Sequence, residues 1–228
     1  MLRRLIKASA IVIGTGLAVT ACSSVKMGSA AIVGSDRITI ATLSTEVTNL
    51  NQAAKRYPGV VNLTPVQETQ ATLTWLIRYE VNEEVARQAG ITVSAAQAEA
   101  ALAAAYASAV TSAEQQGLTN VTPTEILAAS GIPPNTAAEL GRYEAITNEF
   151  LKKANGGTPP TSTSAQAAAG DKLNQAECQA AKSLNIAVNP QFGQLDYSQL
   201  QVVTAPSPVT RSPGPFISPS PVATAPAC

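Results

Sequence analysis

The 228-residue chain contains no histidine, and it has few aromatic residues (4%) and few charged residues (13%). Histidine is the commonest general base and the commonest metal ligand in proteins. Its absence excludes a Ser-His-Asp or Cys-His arrangement and an all-histidine zinc site. The chain also lacks a glycine-rich loop that could hold a phosphate. We therefore expect a protein that is not an enzyme, with no catalytic residues, metal site, cofactor or small-molecule substrate.

The first 22 residues have the order of a secretory signal. Arg3, Arg4 and Lys7 precede an apolar run over residues 8–19, and Val19-Thr20-Ala21-Cys22 closes it. This tetrapeptide resembles the lipobox of bacterial lipoproteins. The resemblance implies cleavage between Ala21 and Cys22, a lipid on the Cys22 sulfur, and a protein held on the extracytoplasmic face of the cell membrane. An ordinary signal peptide, a twin-arginine signal and a transmembrane anchor are the alternatives, although the apolar run is short for a membrane span.

Charge and cysteine content limit the partners of the mature chain. Loss of residues 1–21 removes three basic residues and leaves 12 basic against 15 acidic residues, a net charge of about −3. This balance gives no reason to expect a nucleic-acid partner. Cys178 and Cys228 remain if Cys22 carries lipid, and in an oxidising compartment they could form a disulfide. A free thiol and an intermolecular bridge remain alternatives.

The central part of the chain predicts helices. Thr64, Ser94 and Thr122 each stand three residues before a Gln or Glu, which is the pattern of a capping box at the start of a helix. Two β-branched runs around Gly34-Ser35-Asp36 predict a hairpin, and residues 186–188 predict a short strand. A Pro/Thr/Ser spacer over residues 156–164 precedes a last helix over residues 165–184. The fold class is mostly α, with a small sheet joining the N- and C-terminal pieces.

Residues 197–228 differ in composition from the rest of the chain. Seven prolines fall in this stretch, and Arg211 is the only charged residue beyond residue 197. Such a segment buries too little apolar surface to offset its chain entropy, so we predict a disordered tail. The expected organisation is a signal peptide over residues 1–21, a lipid anchor and spacer over 22–29, a helical domain over 30–196 and the tail.

Two short segments carry a resemblance to a known family. They are Ala30-Ala31-Ile32-Val33-Gly34-Ser35-Asp36-Arg37-Ile38-Thr39 and Val188-Asn189-Pro190-Gln191-Phe192-Gly193. They resemble the N-terminal chaperone domain of SurA-, PrsA- and PpiD-type foldases, within the trigger factor/SurA superfamily. More narrowly, the chain is similar to SurA-N-like lipoproteins of actinobacteria. Gln191 stands where that family usually has arginine. The resemblance covers residues 30–196.

The resemblance implies a chaperone module without catalysis. The spacer at residues 156–164 is too short to hold the family's parvulin isomerase domain, whose site also uses histidine. The expected partners are the membrane, through the lipid, and unfolded secreted polypeptides. Six aromatic residues could form an apolar cradle for such clients, or could simply be the core of a helical domain: Tyr57, Trp75, Tyr79, Tyr106, Tyr143 and Phe150. The alternative function is an interaction lipoprotein that docks one specific envelope partner.

Overall fold

The computed structural model of the chain describes residues 27–57 and 63–205, most of which are helical. The helices are α1 (Ile40–Arg56), α2 (Pro65–Ala89), α3 (Ala95–Gln115), α4 (Pro123–Ala129), α5 (Ala137–Ala154) and α6 (Thr163–Ser183). The strands are β1 (Ser29–Val33), β2 (Asp36–Thr39), β3 (Ala187–Val188), β4 (Gln194–Asp196) and β5 (Gln201–Val203). The prediction of a mostly helical protein is confirmed, and the described strands form two small antiparallel sheets where one was expected. The predicted signal peptide and most of the predicted tail lie outside the described residues.

Local hydrogen bonds explain where the helices begin. The Thr64 hydroxyl accepts a hydrogen bond from the Gln67 backbone N–H, and the Gln67 side chain accepts one from the Thr64 backbone N–H. Ser94 and Thr122 form the same reciprocal box at α3 and α4. Each such cap contributes about 1 kcal/mol, because it satisfies backbone N–H groups that have no partner within the helix. These three predicted helix starts are confirmed.

The start of α6 differs from the prediction. The Ser162 hydroxyl accepts a hydrogen bond from the Ala165 backbone N–H at 3.2 Å and caps the helix there. As a result, α6 begins at Thr163, inside the stretch predicted to be a spacer over residues 156–164. The connection between α5 and α6 is therefore shorter than the composition suggested.

A three-stranded sheet joins the two ends of the helical domain. Its order is β2-β1-β3, and both strand pairs are antiparallel. Ile32 lies opposite Ala187, and Ala31 lies opposite Val188. A two-stranded hairpin is marginal in water, so the third strand and the packing against α2 stabilise it. The predicted pairing of residues 186–188 with the hairpin is confirmed.

The segment after β3 fastens the chain to β1 and turns it toward a second sheet. Asn189 donates its backbone N–H to the Ala30 carbonyl at 2.9 Å and its side-chain amide to the Ser29 carbonyl at 3.0 Å. Gly193 has a φ of 130°, and a Cβ at this position would clash with the Val203 carbonyl oxygen. Only glycine lets β5 approach this closely.

The second sheet corrects the predicted domain boundary. Strands β4 and β5 pair in an antiparallel hairpin, with Leu195 opposite Val202. Leu200 is 7% exposed and Val202 is 2% exposed, and the Val202 backbone N–H donates to the Thr74 hydroxyl at 2.9 Å. The prediction that disorder begins at residue 197 is therefore wrong for residues 197–205. Residues 206–228 lie outside the described residues.

Helix α2 forms the centre of the core. It contacts α1, α5, α6, β1 and β5, so it is buried on several sides rather than along one stripe. Leu73, Ile77, Val81 and Val85 are each at most 1% exposed. Both sheets pack against this one helix, and they place residues 197–200 beside α6.

Candidate binding cleft

Four of the six predicted cradle residues meet in one aromatic cluster. The ring centroids of Trp75 and Tyr143 are 5.8 Å apart, and those of Tyr79 lie 5.9 Å from Trp75 and 6.3 Å from Tyr143. Tyr106 of α3 packs against the same group. These distances and tilted or edge-on orientations are favourable for aromatic side chains. The cluster fastens α2 to α3 and α5.

The other two predicted cradle residues lie elsewhere. Phe150 packs against the main core around α2, and Tyr57 is the residue at the end of α1. Tyr79 is a core residue, because it is only 8% exposed and its hydroxyl is 3.0 Å from the Thr136 hydroxyl. Burial raises the pKa of Tyr79. The structure thus does not bring the six aromatic residues together in a single cradle.

A cleft lies next to the aromatic cluster. One wall is the face of α6 between Asp171 and Lys182, the other wall is residues 197–200, and Arg78 and Tyr143 line it from α2 and α5. Its volume is about 870 Å³, which is within the range of ligand-binding sites. The cleft therefore combines an aromatic side chain of the cluster with polar side chains of α6.

Arg78 holds the wall formed by residues 197–200 in position. Its guanidinium lies 5.3 Å from the centroid of the Trp75 ring, a cation–π distance. Its Nε donates to the Leu200 carbonyl at 3.1 Å, and its Nη2 donates to the Gln199 carbonyl at 3.0 Å. These contacts attach the β4–β5 connection to α2. Arg78 is thus a positioning residue for one wall.

Glu177 supplies a carboxyl group whose proton affinity is raised. The Tyr143 hydroxyl donates to Glu177 Oε1 at 3.4 Å. Burial raises the pKa of Glu177, and the nearby positive charge of Arg78 partly opposes this rise. Burial also raises the pKa of Tyr143, so its phenol stays protonated at neutral pH. The cleft consequently offers hydrogen-bond donors and acceptors beside aromatic surface, an arrangement suited to binding amide groups.

Sequence reasoning did not select Arg78 or Glu177. Arg78 follows Trp75 by three residues on α2, and residues at this spacing lie on one helix face. The sequence spacing could therefore have indicated the cation–π pair. No local pattern indicated Glu177, because its role depends on Tyr143, which lies 34 residues earlier in the chain. The residues that line the cleft come together only through tertiary packing.

Cys178 is disulfide-bonded and lines the cleft. The chain has two other cysteines, Cys22 and Cys228, and both lie outside the described residues. The predicted cleavage between Ala21 and Cys22 and the predicted lipid on Cys22 lie outside them as well. Cys178 therefore forms a disulfide, as was expected for one of the alternatives, but its pairing with Cys228 stays a prediction.

Within residues 27–57 and 63–205, no three or more Cys, Asp or Glu side chains are grouped so that they could hold a metal ion. None of the helices described is both long enough and apolar enough to cross a bilayer.

Comparison with family models, curated proteins and solved structures gives no match for this chain.

Proposed function

We propose that the protein is a lipid-anchored, extracytoplasmic, chaperone-like protein that binds unfolded segments of secreted polypeptides without catalysis. The observation that carries this proposal is the cleft between α6 and residues 197–200. It places Tyr143 and the raised-pKa carboxyl of Glu177 beside each other in a space of about 870 Å³. The extracytoplasmic location rests on the lipobox at Cys22 and is part of the proposal.

The dimensions of the cleft suit an extended peptide. The α6 wall runs from Asp171 to Lys182, which is roughly 16 Å at the helical rise per residue. About five residues of extended chain cover this distance. Gln175 and Gln179 offer amide groups to a peptide backbone, and Tyr197 offers apolar surface to its side chains. A binding mode based on backbone groups is compatible with many client sequences.

The arrangement of the strands supports the proposed relation to SurA-type chaperone modules. In that family an N-terminal hairpin opens the domain and a Val-Asn-Pro segment closes it. Here β1 and β2 are joined by β3, and Asn189 hydrogen-bonds to the carbonyls of Ser29 and Ala30. The two segments that carry the sequence resemblance therefore contact each other.

A second candidate function is favoured by the small amount of exposed apolar surface. Among the described residues, the large hydrophobic side chains that are exposed are Met27, Val66 and Leu118, which lie on separate parts of the chain. A broad chaperone usually needs a contiguous adaptable surface, whereas a protein that docks one partner does not. The rival proposal is an interaction lipoprotein that uses the cleft for one specific envelope partner.

The test compares two matched tryptophan substitutions on α6. Gln179 lines the cleft, whereas Gln166 is exposed on the same helix away from the cleft. Gln179→Trp should fill the cleft and weaken binding of reduced, alkylated polypeptides about tenfold, which corresponds to about 1.4 kcal/mol. Gln166→Trp should bind as the wild type does. Binding is measured by fluorescence anisotropy with the Cys178 disulfide intact and reduced.

The outcomes separate the two candidates. Binding of several unrelated unfolded polypeptides, weakened only by Gln179→Trp, supports the chaperone-like function. If no unfolded polypeptide binds in either redox state, the chaperone-like function is rejected and the single-partner function is favoured. Equal binding by both variants would show that clients bind outside the cleft.

A further inference from the structure

The disulfide of Cys178 has a bearing on what fills the cleft. Cys178 belongs to the α6 wall, so whatever segment carries its partner sulfur must come to the cleft. Two segments of the chain could carry this partner sulfur, the one around Cys22 and the one that contains Cys228. We infer that residues 221–228 of this chain occupy the cleft, held there by a disulfide between Cys178 and Cys228. The inference rests on the proposed function, because it names the resting occupant of the same binding cleft.

The assignment to Cys228 follows from the chemistry proposed for Cys22. A diacylglycerol attached to the Cys22 sulfur forms a thioether, which leaves no thiol for a disulfide. Cys228 is then the cysteine left within the chain. The assignment thus joins two expectations that can be checked separately, lipid on Cys22 and a bridge between Cys178 and Cys228.

The chain leaves the described fold close enough to reach back. Gln70 donates its side-chain amide to the Thr204 hydroxyl at 3.2 Å, so the end of the described chain lies beside α2 at this position. Arg78, which borders the cleft, is eight residues further along α2, or roughly 12 Å. The 23 residues that follow Ala205, up to Cys228, span up to about 75 Å when extended. Residues 206–220 can therefore form a return loop without strain.

The composition of residues 221–228 suits this cleft. The sequence Pro221-Val222-Ala223-Thr224-Ala225-Pro226-Ala227-Cys228 has no charged side chain. The cleft carries charges of both signs, Arg78 and Lys182 against Asp171 and Glu177, so an occupant without charged side chains meets no net repulsion from them. Proline-rich segments are already extended before binding and dock on aromatic surfaces at a small entropic cost. About five residues at the polyproline rise cover the roughly 16 Å of the α6 wall.

Formation of the bond requires an oxidant of the extracytoplasmic space. The thiols of Cys178 and Cys228 lose two protons and two electrons as the S–S bond forms. A disulfide-bearing thiol oxidoreductase accepts the electrons and protons, and its own disulfide becomes two thiols. Reduction by a dithiol reverses the exchange and releases residues 221–228 from the cleft.

The first experiment identifies the partner of Cys178. The mature protein is extracted from membranes, its thiols are blocked, and it is digested without reductant for mass spectrometry. The expected product is the peptide containing Cys178 linked to the peptide containing Cys228. A link from Cys178 to Cys22, a link between two copies of Cys178, or a blocked thiol at Cys178 would each overturn the inference.

The second experiment asks whether the segment covers the cleft. Hydroxyl-radical footprinting reports the solvent access of Tyr197, which lines the cleft, with Tyr57 outside it as an internal reference. Reduction of the wild type, or Cys228→Ser, should cause loss of protection at Tyr197 and no change at Tyr57. Equal protection of Tyr197 with and without the disulfide would overturn the proposed occupancy.

Matched triple variants separate the occupant from the tether. The substitutions Pro221→Gly, Val222→Ser and Pro226→Gly keep Cys228 but remove the side chains proposed to fill the cleft. The control triple is Pro208→Gly, Val209→Ser and Pro213→Gly, which makes the same three exchanges in the return loop. The first triple should lose protection at Tyr197, and the control should not. Identical footprints for the two triples would show that these side chains do not fill the cleft, and would overturn the proposed occupancy.

Client binding is measured separately, so that failure of this inference differs from failure of the proposed function. Cys228→Ser should bind reduced, alkylated polypeptides more tightly than the oxidised wild type if the inference holds. If the footprint does not change but clients still bind and Gln179→Trp weakens them, the proposed function stands and the inference fails. If the footprint changes but no client binds, the inference stands and the proposed function fails.

Discussion

Val202 offers a sharp test of the finding that the folded domain extends to residue 205. Its side chain is 2% exposed in the core beside α2, although it lies in a stretch whose composition suggested disorder. Val202→Ala removes two buried methyl groups. The lost transfer free energy is about 1.6 kcal/mol, and the cavity left behind brings the expected loss of stability to about 2–3 kcal/mol. For a domain of this size the melting temperature should fall by about 4–10 °C.

The neighbouring valine provides the control. Val203 is only partly buried and points to the other face of β5, so Val203→Ala should cost less than about 1 kcal/mol. Urea unfolding is followed by the fluorescence of Trp75, the single tryptophan of the chain, and by far-ultraviolet circular dichroism. If Val202→Ala unfolds within about 0.5 kcal/mol of the wild type, then β5 does not pack against α2 and the described boundary is wrong.

Three further predictions concern the cleft, the anchor and the absence of catalysis. Burial raises the folded-state pKa of Glu177. The wild type therefore gains most from the protonated carboxyl below about pH 4.3, the pKa of the unfolded state, and loses this stability as pH rises through the folded-state pKa. In urea titrations Glu177→Gln should therefore gain stability relative to the wild type as pH rises above about 4.3, and a constant difference would contradict the burial argument. Cys22→Ser should abolish processing after Ala21 and the attachment of lipid at residue 22, whereas a variant that is still processed and membrane-bound in a detergent partition would show a different anchor. The protein should not accelerate refolding limited by proline isomerisation, which takes tens to hundreds of seconds without catalysis, and any acceleration would contradict a function without chemistry.

The starts of the helices could be predicted because their determinants are local. The boxes at Thr64, Ser94 and Thr122 each need two residues three positions apart, and the chain supplies both. The hairpin around Gly34 could be predicted for the same reason, since its turn and both strands lie within about ten residues. The pattern of residue types was sufficient to predict these elements because each depends on residues that are close in sequence.

Strand β5 and the cleft could not be predicted because their determinants are distant. Val202 hydrogen-bonds to Thr74, which is 128 residues earlier in the chain. Residues 201–203 are too few to show the alternation of a strand, and the prolines that follow favour disorder. The aromatic residues show the same division. Trp75 and Tyr79 are neighbours on one helix, whereas the contribution of Tyr143 from α5 required the fold itself.

The pairing of β1 with β3 determines the order in which the domain can be completed during synthesis. Ala187 lies opposite Ile32 in the sheet but follows it by 155 residues. At ordinary translation rates this separation is on the order of ten to thirty seconds, during which the hairpin has no third strand. The three-stranded sheet therefore stays incomplete until all six described helices have emerged. Until residues 187–188 are available, one edge of β1 therefore carries backbone N–H and C=O groups that have no partner strand.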